Sequence, residues 1–431
     1  MFRWFDLRPG EGPRVAWVFA LAFLLACGRV VLLSGANAAL LSHYPAEAYG
    51  WVLVCAAALI FSGGVTYRAS LGRRRFVHLA SLVLLAQAAG TVGLQVLGDL
   101  SGRRELVLLL AAWVLLVWVF GLLILWTTAG RLLDQEQAGR LLALMGAGEV
   151  LGDVVGGAGV APLLRVMPPS ALPFVSATLL LFAVGVLRLI GGRFPEVEST
   201  PSPSAAAIPA GIPAGSGEQP AALAEPDPRW RPYVARLILL CGLITICYYL
   251  VDLGFFRQVR ARYREAEAAV FLGRTYAVIA SLTLGLRLFL AGRLLSRFGV
   301  RFATRVLPLA VLVTMAGVAL ASLSGSSELT FWLVVVSAVS WRVLKDGIDK
   351  PGLLLLYQAL PPEPRLRTQS LVETMTDACA TGLAGGLILT LSSAPWFGAA
   401  PIAGVTALLA LVWVGLTRRL VRLHADFVDP R

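Results

Sequence analysis

The chain has only two lysines, Lys345 and Lys350, and both lie in one apolar stretch beside Arg342, Asp346 and Asp349. At helical spacing these five residues share a face, with Arg342 and Asp346, Lys345 and Asp349, and Asp346 and Lys350 each four positions apart. A stripe of that kind cannot face lipid and is expected to line a polar path. Two chemistries fit it. One is a self-neutralising ladder that stiffens the helix. The other is an anion site at Lys345 or Lys350, because three cations outnumber two carboxylates. Gly347 weakens the helix and Pro351 removes a backbone hydrogen bond, so a kink suited to a hinge is predicted there.

Two carboxylate pairs repeat the four-residue spacing: Glu149 with Asp153, and Glu373 with Asp377. Close carboxylates repel when both are ionised, so such a pair is suited to holding a proton that couples or gates a movement. The alternative is a static tie to a buried Arg or Lys. Arg29, with Asn37 two turns later, and Arg287 are expected to line a cavity, Arg287 having Asp252 as its alternative partner. Arg274 lies near a span end and is expected to snorkel. Trp113, Trp118, Trp126, Thr127 and Thr128 form an uncharged aromatic patch, read either as packing and interface anchors or as a stacking surface for a nucleobase.

The elements that must carry these charges follow from composition. Of 431 residues, 58% are hydrophobic and 14% charged, and apolar runs of about 20 residues recur. Twelve spanning helices are predicted, at 15–41, 46–68, 76–97, 106–131, 140–165, 170–191, 234–257, 268–293, 302–323, 329–359, 366–391 and 398–418. The fold class is an all-α membrane protein with twelve transmembrane helices in two pseudo-symmetric six-helix bundles. The bundles are placed at 1–193 and 233–431, joined by a Pro-, Ala-, Gly- and Ser-rich cytoplasmic linker at 194–232, predicted to be disordered. Gly148, Gly152 and Gly156 repeat at four-residue spacing and point to close helix packing.

Each intramembrane charge costs about 2.5–3.5 kcal/mol at mid-span, against a net fold stability of about 5–15 kcal/mol. The ionisable residues must therefore face one another or water. They fall on the first, fifth, seventh, eighth, tenth and eleventh predicted helices, which are expected to surround a shared wet chamber. The third, sixth, ninth and twelfth carry no mid-span charge and are free to touch lipid. This is the pattern of a midplane site between two pseudo-symmetric halves.

The net charge of +12 is mostly topogenic. Arg3, Arg8 and Arg14, Arg73 to Arg75, Arg188 and Arg193, Arg293 to Arg305, and Arg418 to Arg422 fall on one side if the spans alternate. That puts both termini and the linker in the cytoplasm and argues against nucleic acid as a partner. Arg257, Arg260, Arg262 and Arg264 land on the other side. Either the seventh helix extends into a cation-bearing segment or these arginines meet an anion.

The five cysteines sit in apolar runs with no metal or disulfide spacing and are read as packing residues. His43 and His78 lie near span ends without marks of ligands. No P-loop, nucleophile elbow or dinucleotide loop appears. No enzyme activity, metal or cofactor is expected. The halves match one another weakly but in order: Tyr44 and Glu47 with Tyr263 and Glu267, Gly72 with Gly299, and Glu149 and Asp153 with Glu373 and Asp377.

The run from Gly292 through Arg297 and Gly299 to Arg301 resembles the signature loop of the major facilitator superfamily, with Ser296 in place of the usual Asp. A more degraded copy lies around Gly64, Gly72 and Arg73. The run from Asp349 and Lys350 through Tyr357 and Pro361 to Arg367, followed by Glu373 and Asp377, is similar to bacterial relatives of the ATP/ADP carrier (nucleotide transporter) family. The stretch from Gly28 and Arg29 to Asn37 resembles their first helix. Where nucleotide exchangers carry an Asp, a Lys and a Glu before the tyrosine, this chain has Lys350, Leu353 and Leu354.

The resemblance implies a facilitator-type fold, that of a multi-pass protein of a bacterial inner membrane, and leaves the substrate open. The buried cations point to a secondary transporter that moves an anionic solute by alternating access, with nucleotides and other phosphate compounds as candidates. Arg29, Arg287, Arg342, Lys345 and Lys350 are expected to bind it. Glu149, Asp153, Asp252, Asp346, Asp349, Glu373 and Asp377 are expected to couple or gate. The partners are then the solute and the bilayer, and the chain is expected to act as a monomer. The loss of the signature acid keeps open a transport-inactive membrane scaffold or assembly factor. A charged groove also suits lipid movement.

Overall fold

The structure, a computed structural model, describes residues 8, 11–70, 75–133, 135–199, 230–358, 360, 365, 368, 372, 376–394 and 398–428. No strand occurs among them. The helices are α1 Gly12–His43, α2 Tyr49–Ser70, α3 Phe76–Ser101, α4 Arg104–Leu132, α5 Gln135–Val166, α6 Leu172–Arg193 and the single turn α7 Glu196–Ser199. They continue as α8 Arg231–Arg262, α9 Glu265–Gly285, α10 Gly292–Leu323, α11 Ser327–Leu344, α12 Lys350–Gln358, α13 Asp377–Ser392 and α14 Ala399–Val428. Among the described residues, eleven spans are long and apolar enough to cross a membrane, and α13 is a shorter apolar helix. The chain is thus a multi-pass membrane protein. Much of the predicted span 366–391, including Glu373, lies outside the described residues, as do Gly72, Arg73 and most of the 194–232 stretch.

Two compact units form. The first comprises Met1–His43, Ala58–Pro220 and Arg264–Ala280, and the second Tyr44–Ala57, Ala221–Tyr263 and Ser281–Arg431. In the first, α1 packs on α5, α6 and α4, and α3 on α6 and α4. Leu21, Leu32, Leu84, Val114, Ile124 and Leu187 are fully buried between these helices or nearly so. The glycine stripe of α5 is a close-packing surface. A Cβ on Gly148 would stand 2.6 Å from the Phe19 carbonyl oxygen, and one on Gly156 2.8 Å from that of Cys27. Hydrogen is the only side chain that lets the two backbones approach this closely.

In the second unit α8 packs on α11, α13 and α14, and α10 on α11 and α14. Trp341, Trp413, Tyr233, Phe255 and Phe256 are its largest buried side chains. Trp341 meets Trp413 edge-on at 5.5 Å. All five cysteines are free.

One local expectation is made specific and two are corrected. The helix expected at 329–359, with a kink at Gly347 and Pro351, carries there a wider π turn, Lys345–Asp349, whose closing bond runs from the Lys350 N–H to the Lys345 carbonyl. Pro351 follows at once. Its ring cannot sit against the carbonyl four residues back, and the widened turn relieves that clash while α12 restarts. The helix expected at 268–293 gives way after Gly285 to a second π turn, Leu286–Ala291. The signature run 292–301, expected as a loop, is helical except at Gly299, whose φ of 66° breaks the helix where a side chain would be strained.

Of Arg257, Arg260, Arg262 and Arg264, Arg257 and Arg262 meet carboxylates of the protein. Helix α8 continues to Arg262. Arg257 Nε lies 3.2 Å from Glu47, and Arg262 holds Glu328 in a fork of two hydrogen bonds.

Candidate functional site: two buried charge clusters

In the first unit, α1 supplies Arg29 and α5 supplies Glu149 and Asp153, whose four-residue spacing aims both carboxylates at the same guanidinium. Arg29 Nη1 donates to Glu149 Oε1 at 3.1 Å. Nη2 reaches both oxygens of Asp153 at 2.7 Å. Trp118 of α4 covers the guanidinium, its ring centroid 5.2 Å away. Arg29 is 8% exposed. A cavity of about 10 Å³ borders Arg29, Trp118 and Glu149, room for about one water. Two carboxylates against one cation leave the cluster one negative charge in excess. The carboxylates are therefore held by a cation, not by each other, and an incoming anion would have to displace one of them.

In the second unit Asp252 of α8 is 2% exposed and accepts from Arg342 Nη2 at 2.6 Å. Tyr248, one turn earlier on α8, is within hydrogen-bonding reach of the same carboxylate. Arg342 also lies over the Tyr248 ring at 5.4 Å. Lys345, half-buried, places its Nζ 4.8 Å from that ring centroid. Asp252 is thus the partner of Arg342, not of Arg287. Arg287 is exposed and donates from Nε to the Asp346 backbone carbonyl at 3.2 Å.

The ladder, one of the two chemistries that the sequence offered for this stripe, does not form as such. Among the described residues no ion pair within 4 Å joins Lys345 to Asp349 or Asp346 to Lys350. The π turn supplies the reason. One extra residue in the turn rotates 349 and 350 away from the positions that a 3.6-residue helix would give them. Asp349 is 1% exposed and its Oδ2 has no hydrogen-bond partner, while Lys350 is exposed. The two π turns touch each other through Gly347, where a Cβ would meet the Leu286 side chain.

Asp377 accepts from Thr245 Oγ1 at 2.7 Å, and its sequence partner Glu373 is outside the described residues. Of the signature run, Gly292 opens α10, Arg297 lies over the Phe298 ring and Arg301 is exposed. The sequence reading missed Tyr248 and Thr245. The one signal for Tyr248 is its placement four residues before Asp252 in an otherwise apolar helix. Trp118 stacks on a guanidinium, and Trp113 Nε1 donates to Thr91 Oγ1 at 3.2 Å.

No protein-family model and no curated protein matches the sequence. The structure is similar to that of the POT family transporter PepTSo, at 13% identity and a TM-score of 0.66 over 96% of this chain and 99% of that one. It is similar to the nucleoside transporter NupG, at 14% and 0.60 over 95% and 98%. It is also similar to a bacterial homologue of the human lysosomal transporter Spinster, at 16% and 0.58 over 98% and 95%. At such identities the likeness concerns the fold alone, and the chain has the fold of these transporters.

Proposed function

We propose that this protein is a secondary transporter that moves an anionic solute by alternating access, with Lys345 and Arg287 as the anion-binding groups. The observation that carries this reading is the contrast between the cations. Arg29 and Arg342 are committed to carboxylates, whereas Lys345, Arg287 and Lys350 have none within 4 Å among the described residues. Lys345 and Arg287 lie within the paired π turns, which give their helices a place to bend. Binding by Arg29 and Arg342 becomes secondary, because an anion there competes with a carboxylate already in place. Nucleotides and other phosphate compounds are the candidate solutes, on the resemblance of the run from Asp349 to Arg367.

Coupling is assigned to the carboxylates. The unsatisfied Oδ2 of Asp349 is an atom that a proton or a ligand donor would complete. The Arg29 cluster, with one carboxylate too many, can take up a proton without losing its core ion pair. Proteoliposomes loaded with the purified protein are expected to accumulate labelled nucleotides or organic phosphates. The Lys345→Ala, Lys350→Ala double variant is expected to lose at least about tenfold of the initial rate, the effect of losing one charge-assisted contact. Uptake equal to wild type in that variant would remove the lysines from the site. Absence of uptake across the panel would favour the second reading, a transport-inactive membrane scaffold, which Ser296 in place of the signature acid supports.

A further inference from the structure

The first unit contains a second polar concavity, separate in its residues from the Arg29 cluster. It has a volume of about 450 Å³ and is lined by Arg75, Val77, His78, Ser81, Arg188 and Glu198. Three elements build it. Arg75, the N-cap of α3, has extended backbone, and His78 and Ser81 follow on the first turns. Arg188 comes from the last turns of α6. Glu198 comes from α7, which is held in place on the unit. Val197 is fully buried, its carbonyl accepts from Arg131 Nη1 at 3.0 Å, and Arg14 pairs with Glu196 at 3.0 Å. Glu198 Oε1 accepts from the Val77 N–H at 3.3 Å.

The concavity is left chemically incomplete. Neither Arg75 nor Arg188 has a carboxylate within 4 Å among the described residues, although Glu198 lines the same space. Ser81 is 2% exposed and its Oγ has no partner, and Glu198 Oε2 is likewise buried without one. Buried polar atoms are nearly always satisfied. Two guanidinium groups, an imidazole and a hydroxyl together form a donor set for a tetrahedral oxyanion. The orphan carboxylate oxygen asks in addition for a donor on the ligand.

We propose that this concavity binds a phosphate group that carries or adjoins a hydrogen-bond donor, held by Arg75, Arg188 and Ser81, with Glu198 accepting the donor. Hydrogenphosphate supplies its own P–OH. A phospholipid headgroup supplies an ammonium or hydroxyl beside the phosphate. Sulfate and a choline headgroup supply neither, so Glu198 makes the site selective. This inference does not depend on transport.

The test has two arms. Thermal unfolding of the detergent-purified protein is titrated with inorganic phosphate and with sulfate. Native mass spectrometry follows retention of phosphatidylethanolamine, phosphatidylglycerol and phosphatidylcholine. Wild type is expected to prefer phosphate over sulfate, or the first two lipids over the third, by about tenfold, the effect of one hydrogen bond to a charged group. The preferred arm distinguishes a soluble phosphate from a membrane lipid. The Arg75→Gln, Arg188→Gln double variant is expected to lose at least about tenfold of that binding and Ser81→Ala part of it. Arg165→Gln, an exposed arginine at the far end of α5, should match wild type. Size-exclusion profiles establish folding, and Ser81→Ala carries the test if the double variant does not fold. Wild-type binding in both Ser81→Ala and the double variant, absence of binding in both arms, or a wild type that binds sulfate as well as phosphate and phosphatidylcholine as well as the first two lipids would overturn the proposal.

Discussion

Asp252 and Arg342 form a nearly enclosed pair, and the two sides of it are not equivalent. Arg342→Met strands a carboxylate that is 2% exposed, and a broken buried pair costs about 3–5 kcal/mol. Combining it with Asp252→Asn removes the stranded charge and should recover most of the loss. Thermal unfolding in detergent measures both; equal stability of the single and double variants would mean that Asp252 is not buried as a charge. The Arg29 cluster is graded in the same way. Asp153 takes two contacts of 2.7 Å and Glu149 one of 3.1 Å, so Asp153→Asn should destabilise more than Glu149→Gln.

Helix α5 shows how a single position decides a packing contact. A Cβ on Gly157 would run into the Gly273 carbonyl of α9, whereas one on Gly159 meets nothing within 4 Å. Gly157→Ala is therefore expected to destabilise by about 1–3 kcal/mol. Gly159→Ala should be neutral or gain about 0.5–1 kcal/mol from helix propensity. Unfolding curves of the two variants check the contrast. The glycine spacing of α5 was legible in sequence because period alone defines a face. The buried charges were legible because an ionised group in an apolar run needs company. Their partners were not, since Arg29 meets Glu149 across 120 residues and Arg342 meets Asp252 across 90. The π turns were hidden too. Pro351 announced a disturbance, but whether a helix bends or widens depends on what lies against it, here Leu286 at Gly347.

At the level of the whole chain, sequence halves and compact units do not coincide. Tyr44–Ala57 belongs with the second unit and Arg264–Ala280 with the first. Each half severed between 199 and 230 therefore lacks a segment that its larger unit contains. Co-expressed fragments 1–199 and 230–431 are expected to co-purify, and each fragment alone to be degraded, because an incompletely packed unit is cleared by quality control. Stable isolated fragments in an expression assay would contradict the interleaving.

The scarcity of primary amines has a practical consequence. With Lys345 tucked over Tyr248 and Lys350 exposed, an acylating reagent meets one ready side-chain target in 431 residues, and a label placed there reports from beside the π turns without any engineered handle.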